Sequence, residues 1–154
     1  MESCVGNQCR AAQNNEVNYM RILLVDDQSE IRSALRLLLE QENGMTVVGE
    51  VAKAEDLLSQ VEATQPDLAL LDWELPGLQD ADPPTRFASA QRLLSELRAR
   101  CPRLLVIALS GRPEARQVAL AAGADAFVSK GDPAENLLQT LRAITEGTKG
   151  GSHE

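Results

Sequence analysis

Short apolar runs alternating with helix-spaced apolar residues constrain this chain more than any other feature. Ile22-Leu23-Leu24-Val25, Leu68-Ala69-Leu70-Leu71 and Leu104 to Leu109 are continuous runs, which suits strands buried on both faces. Thr46 to Val51 is more mixed and Ala126-Phe127-Val128 is shorter, which suits edge strands. Between these runs lie helical patterns. Ile31, Leu35, Leu38 and Leu39 share one face opposite Arg32, Arg36 and Glu40, and Asn43-Gly44 supplies a stop. Leu57, Leu58 and Val61 mark a short second helix that ends before Pro66. A loop rich in Pro, Gly and Asp runs from Glu74 to Thr85, and Phe87, Ala90, Leu94 and Leu97 then mark a third helix. Ala115, Val118, Ala119 and Ala122 line a fourth, with Pro113 near its start and Gly123 at its end. Asp132-Pro133-Ala134-Glu135 has the spacing of a capping box and opens a last helix with Leu137, Leu138, Leu141 and Ile144 on its apolar face.

Strands alternating with helices through short connections imply an α/β fold with a doubly wound parallel sheet. Right-handed crossovers, with the purely apolar strands central, give five strands in the order 2-1-3-4-5 and helices on both faces, a three-layer sandwich. A chain of 154 residues is one domain. Residues 1–19 read as a flexible polar leader, 20–147 as the folded domain, and 148–154 as a flexible tail or the start of a linker.

Charge and rare residues narrow the function. Fifteen Lys+Arg against 23 Asp+Glu leave a net charge of −8, which repels phosphate backbones and anionic lipid. Direct nucleic-acid binding and membrane association are therefore not expected. No apolar run approaches the roughly 18 residues of a membrane helix, and no basic start followed by an apolar stretch marks a secretory signal. Cys4, Cys9 and Cys101 are odd in number and give no disulfide framework, so the expected location is the reducing cytoplasm. The only histidine is His153, which removes His-based acid–base catalysis, Ser-His-Asp hydrolysis and His-ligated zinc.

In a doubly wound sheet the site lies beyond the carboxyl ends of the strands, where the winding reverses. Those ends carry Asp26-Asp27, Asp72, Ser110 and Lys130. Carboxylates crowded together repel unless a cation neutralises them. Mg²⁺ fits, since it accepts one or two carboxylates, keeps waters and leaves room for a phosphate oxygen. Asp72 is placed to attack phosphorus as a nucleophile, Lys130 to meet phosphoryl oxygens and Ser110 to donate its hydroxyl. The backbone carbonyl of Glu74 is placed to complete the metal shell. Singly, each residue has a plainer reading. Asp27 with Glu30 spaces like a capping box, Lys130 could be a solvated lysine, and Ser110-Gly111 a turn. The plain readings fail when all the strand ends are taken together.

In ILLVDDQSEIRSALRLLLE, VVGEV, PDLALLDWELPG, LLVIALSG and GADAFVSKGDPAENLLQTLRAI, the chain resembles the receiver domain of two-component response regulators, with its flavodoxin-like, CheY-type fold. The resemblance covers about residues 20 to 147 and is nearest to receivers of the NarL/FixJ kind, which precede a helix-turn-helix output domain. It implies a switch rather than a metabolic enzyme, with Asp72 as phosphoacceptor, Asp27 as a direct Mg²⁺ ligand and Asp26 acting through water. Ser110 would be the switch hydroxyl, Lys130 the phosphate-contacting lysine and Phe127 the switch aromatic. Implied partners are a sensor histidine kinase or phosphotransferase, with homodimerisation on phosphorylation. The implied output surface is the face of helix 4, strand 5 and helix 5.

Three departures stand out. Gly131 follows the lysine where many receivers have proline, the segment Leu78 to Ala90 is long, and Glu74 is acidic at a position that tunes phosphate lifetime in the family. Two other classes fit the sequence less well. A haloacid-dehalogenase-type phosphatase would carry its acidic pair after the lysine, whereas here Asp26-Asp27 comes first. A dinucleotide-binding fold would need a Gly-rich turn after strand 1. A phosphate-independent receiver acting as an interaction module remains the alternative.

Overall fold

The computed structural model describes residues 19–78 and 82–149. Strands β1 (Met20–Val25), β2 (Met45–Val51), β3 (Leu68–Asp72), β4 (Leu105–Ser110) and β5 (Ala126–Ser129) form one parallel sheet in the order β2-β1-β3-β4-β5. The helices are α1 (Ser29–Glu40), α2 (Leu57–Thr64), α3 (Pro83–Arg100), α4 (Ala115–Ala122) and α5 (Ala134–Lys149). The expected strand order holds, with the mixed and short strands at the edges. Apart from Tyr19, the expected leader lies outside the described residues, as do residues 79–81 of the long loop and the tail from 150 onward.

Alternation along the central strands sorts their side chains into two cores. Leu23, Val25, Ala69, Leu71, Val106 and Ala108 meet α2, α3 and α4 through Leu57, Val61, Leu94, Leu97 and Ala119. Ile22, Leu24, Leu68, Leu70, Ile107 and Leu109 meet α1 and α5 through Leu39, Leu137, Leu138 and Leu141. Burial on both faces is why these strands read as unbroken apolar runs. Each fully buried leucine contributes about 1.5–3 kcal/mol relative to an exposed one.

The edge pairing of β1 with β2 is irregular. Ile22 pairs with Val47 and Leu23 with Gly49, so Val48 is an extra residue on β2. Gly49 leaves little room for a side chain there, because a Cβ at this position would sit 3.0 Å from Leu23 Cδ1.

Several local expectations need correction. Helix α3 starts at Pro83, before the expected loop end at Thr85. Asp82 is extended, and proline is tolerated in the first turn, where its missing N–H has no helical partner anyway. Val118 is 46% exposed and lies off the buried stripe of Ala115, Ala119 and Ala122. Helix α1 stops at Glu40, before Asn43-Gly44, and Gly44 instead takes a positive φ ahead of β2. Helix α5 begins at Ala134, inside the proposed Asp132–Glu135 box, and continues through Gly147 to Lys149. A single glycine costs a helix about 1 kcal/mol and does not by itself end it.

Candidate functional site

Four of the five strands deliver a polar residue within two residues of their last apolar position. Asp26 follows β1, Asp72 closes β3, Ser110 closes β4 and Lys130 follows β5. Because neighbouring parallel strands lie about 4.8 Å apart, these ends converge. Asp26, Asp72 and Ser110, at 1%, 2% and 0% exposure, are the buried polar side chains among the described residues. All of them belong to this patch.

Lys130 Nζ donates to Asp72 Oδ1 at 3.0 Å and to Asp26 Oδ2 at 3.1 Å. Its main-chain N–H donates to the Ser110 carbonyl at 2.8 Å, which anchors the lysine beside β4. The other oxygen of Asp26, Oδ1, accepts the N–H of Gln28 at 2.9 Å, and Asp72 Oδ1 also accepts the N–H of Glu74 at 3.0 Å. Burial pushes the Asp72 carboxyl above its ordinary range. The hydrogen bonds from Lys130 and Glu74 oppose this, while the nearby charge of Asp26 adds to it. Burial also works against the Lys130 ammonium, but its bonds to Asp72 and Asp26 outweigh that and raise its pKa. The lysine therefore stays charged.

Oxygens of Asp26, Asp27 and Asp72 all lie within 4.8 Å of one another, and Asp27 is exposed at the rim. An all-oxygen donor set with one open side fits a hard divalent cation better than a soft one. Asp27 is not the cap of α1. Gln28 holds that position, without a side-chain cap hydrogen bond, so the capping-box reading is not realised.

The side chain of Glu74 has a role that sequence did not reveal. Its carboxylate accepts the Ser110 hydroxyl through Oε2 and the Gly111 N–H through Oε1 at 3.2 Å, with Arg112 Nε 3.5 Å away. Arg112 in turn donates its main-chain N–H to Ser110 Oγ at 3.0 Å. These bonds and the Lys130 charge overcome burial and hold Glu74 below the usual carboxylate range.

The family model for the response regulator receiver domain matches residues 22–142. The chain belongs to this family. The nitrate/nitrite response regulator protein NarL of Escherichia coli K12 is 32% identical over 82% of this chain and 55% of its own length. The transcriptional regulatory protein DesR of Bacillus subtilis is 29% identical over 83% of this chain and 59% of its own length. The receiver thus spans little more than half the length of these curated relatives. Among solved structures, a LuxR-family two-component response regulator from Aurantimonas sp. SI85-9A1 has a TM-score of 0.69 and 27% identity, covering 84% of this chain and 87% of that one. The receiver domain of Thermotoga maritima CheB, at TM-score 0.63 and 22% identity, covers 82% of this chain and 96% of that one and shares the fold. The resemblance to NarL-class receivers is borne out.

In this receiver Phe127 is buried on the α2–α4 side of the sheet, with the Arg116 guanidinium 6.0 Å from its ring centroid. Beside Lys130 a groove of about 360 Å³ runs between α1 and α5, lined by Ile31, Leu35, Leu38, Pro133 and Leu137. Trp73, next to Asp72, is buried, and its main-chain N–H donates to the Leu109 carbonyl at 2.7 Å. No helix among the described residues is long and apolar enough to cross a membrane.

Proposed function

We propose that this receiver accepts a phosphoryl group on Asp72 from the phosphohistidine of a sensor kinase or phosphotransferase, with Mg²⁺, and relays the event through the face of α4, β5 and α5. The observation that carries this reading is the buried Asp72 carboxylate, held by Lys130 beside two further carboxylates. A carboxylate oxygen of Asp72 forms a bond to phosphorus as the donor's P–N bond breaks, and the imidazole leaves with the electron pair and takes a proton. Lys130 meets the phosphoryl oxygens as a fixed positive charge, and Ser110 supplies a hydroxyl donor.

Asp27 and Asp72 would hold Mg²⁺ directly, with the Glu74 carbonyl completing the shell. Both oxygens of Asp26 are already engaged by Gln28 and Lys130, which supports a role through water. Bound there, Mg²⁺ supplies positive charge against the carboxylates and the incoming phosphate.

The phosphoryl group carries about −1.5 to −2 of charge where the Asp72 carboxylate carried −1. Moving Ser110 and Phe127 from a 1:99 to a 99:1 population requires about 5.5 kcal/mol of differential stabilisation. The chain then acts as a switch and not as a metabolic enzyme. The surface near α1 and the site, with the groove beside Lys130, would meet the kinase or phosphotransferase. Residues 20–147 form the receiver unit, with 1–19 as a leader and 148–154 as a tail or the start of a linker. Its place is the cytoplasm, it pairs as a homodimer when phosphorylated, and its acid excess keeps this segment off nucleic acid.

The test is intact-mass spectrometry after incubation with acetyl phosphate and Mg²⁺. Gain of one labile phosphoryl mass, absent in Asp72→Asn, is the expected result. No gain with either acetyl phosphate or a kinase donor would leave the phosphate-independent interaction module.

A further inference from the structure

The Ser110 hydroxyl and the Gly111 N–H form a pair of donors at the end of β4, and both point at one carboxylate. A serine hydroxyl has a single proton to donate. While that proton serves Glu74, it cannot serve an oxygen bound to Asp72. Glu74 is also tethered by geometry. Its main-chain N–H holds Asp72 Oδ1, and the next residue, Leu75, is fully buried. Its carboxylate therefore reaches the β4 donors from the acceptor's own loop, and Arg112 borders it on the outer side.

We infer that the Glu74 carboxylate is the resting occupant of the anion-receiving pair made by Ser110 and Gly111, and that a phosphoryl group on Asp72 must displace it. Glu74 is in this sense a positioning residue, a tethered competitor for the switch hydroxyl. The inference deepens the proposed function and rests on Asp72 being the phosphoryl acceptor. It also gives a sign to the charge at this position. Two effects act together: the carboxylate occupies donors that the phosphoryl oxygens need, and its negative charge repels theirs. Both make Glu74 a brake on occupancy of the acceptor.

Beryllium trifluoride, an anion that binds a carboxylate in the shape of an acyl phosphate, is the probe. It is titrated into the full chain at saturating Mg²⁺, with binding counted by fluorine NMR and folding checked by thermal melting. Glu74→Gln keeps the size of the side chain and removes its charge. The expected result is binding tighter by about tenfold, together with a lower melting temperature without ligand, since contacts to Ser110 and Gly111 are weakened. A purely structural role would lower both stability and affinity. Glu74→Asp, charged but shorter, should fall between wild type and Glu74→Gln.

In Ser110→Ala the hydroxyl under competition is gone, so Glu74→Gln should gain clearly less in that background, a coupling read by the double-mutant cycle. A folded Glu74→Gln that binds beryllium trifluoride no better than wild type overturns the inference and leaves the acceptor reading intact. Failure of wild type and variant alike to bind it, with no phosphoryl gain on Asp72, overturns the acceptor reading and this inference with it.

Discussion

Arg32 Nη1 donates to the main-chain carbonyl of Asp26 at 2.7 Å, so a helix side chain fastens the strand end that carries the acidic pair. The same guanidinium donates through Nε to Glu50 Oε1 at 2.8 Å, and Arg36 Nε reaches Glu50 Oε2 at 2.9 Å. Glu50 at the end of β2 thereby becomes the post to which α1 is tied. Replacing Arg32 by Met should cost about 1–3 kcal/mol in urea denaturation, the scale of hydrogen bonds to charged groups. An unchanged urea midpoint would show that the clasp contributes nothing to stability.

That clasp should depend on pH. Hydrogen bonds from Arg32 and then Arg36 hold the Glu50 carboxyl below its ordinary value, against the effect of burial. Its contribution is therefore fully present above the unfolded glutamate pKa of about 4.3 and is lost as pH falls through the lower folded value. The stability gap between wild type and Glu50→Gln, measured in urea at pH 7 and again at pH 3, should shrink at the lower pH. A gap independent of pH would contradict the assignment.

Lys130→Met leaves Asp26 and Asp72 buried without their shared counter-charge. Because the lysine is about a quarter exposed, the cost should be about 1–3 kcal/mol, less than for a fully buried pair. Mg²⁺ should then raise the melting temperature of the variant more than that of the wild type, since it no longer meets an ammonium in the same pocket. Phosphoryl uptake should fall steeply in the same variant. Equal melting shifts with Mg²⁺ would mean that the cation binds away from these carboxylates.

Gly123 closes α4 at φ +123°, and a Cβ there would meet Arg98 Nη1 at 3.3 Å and Leu94 Cδ1 at 3.4 Å. Gly123→Ala should therefore destabilise by about 1 kcal/mol or more. Leu97→Ala, at a fully buried position on α3, should cost about 2–5 kcal/mol. Both are read from chemical denaturation. A neutral result at Gly123 would show that α4 relaxes at its end.

The sheet and its site were legible in the sequence because one pattern carried both. Apolar runs buried on two faces end abruptly in Asp26, Asp72, Ser110 and Lys130, so the strand ends and the polar residues announce each other. Other features depend on side-chain reach across the fold. Ser110 and Glu74 are 36 residues apart and Arg32 and Glu50 are 18 apart, and each contact depends on a rotamer that no spacing encodes. Val118 has the right period for the buried face of α4, but the small residues Ala115, Ala119 and Ala122 let that helix settle with Val118 outward. The start of α3 was obscured by Pro83-Pro84, which reads as loop until the helix is seen to begin on it.

The extra residue in β2 has a consequence for the site. Side chains on a strand alternate, so if Val48 were an ordinary member of the ladder, Val47, Gly49 and Val51 would share one face. With it, Val47 points to the core under α1 and α5 while Val51 points to the opposite core. The same half-turn directs Glu50 toward α1, where Arg32 and Arg36 can reach it. Val48 thus acts as a phase shifter in the edge strand. Were Val48 drawn into the ladder as an ordinary strand residue, Glu50 would move to the far side of the sheet, and Arg32, which holds the Asp26 carbonyl, would lose its tie to β2 although no residue of the pocket had changed.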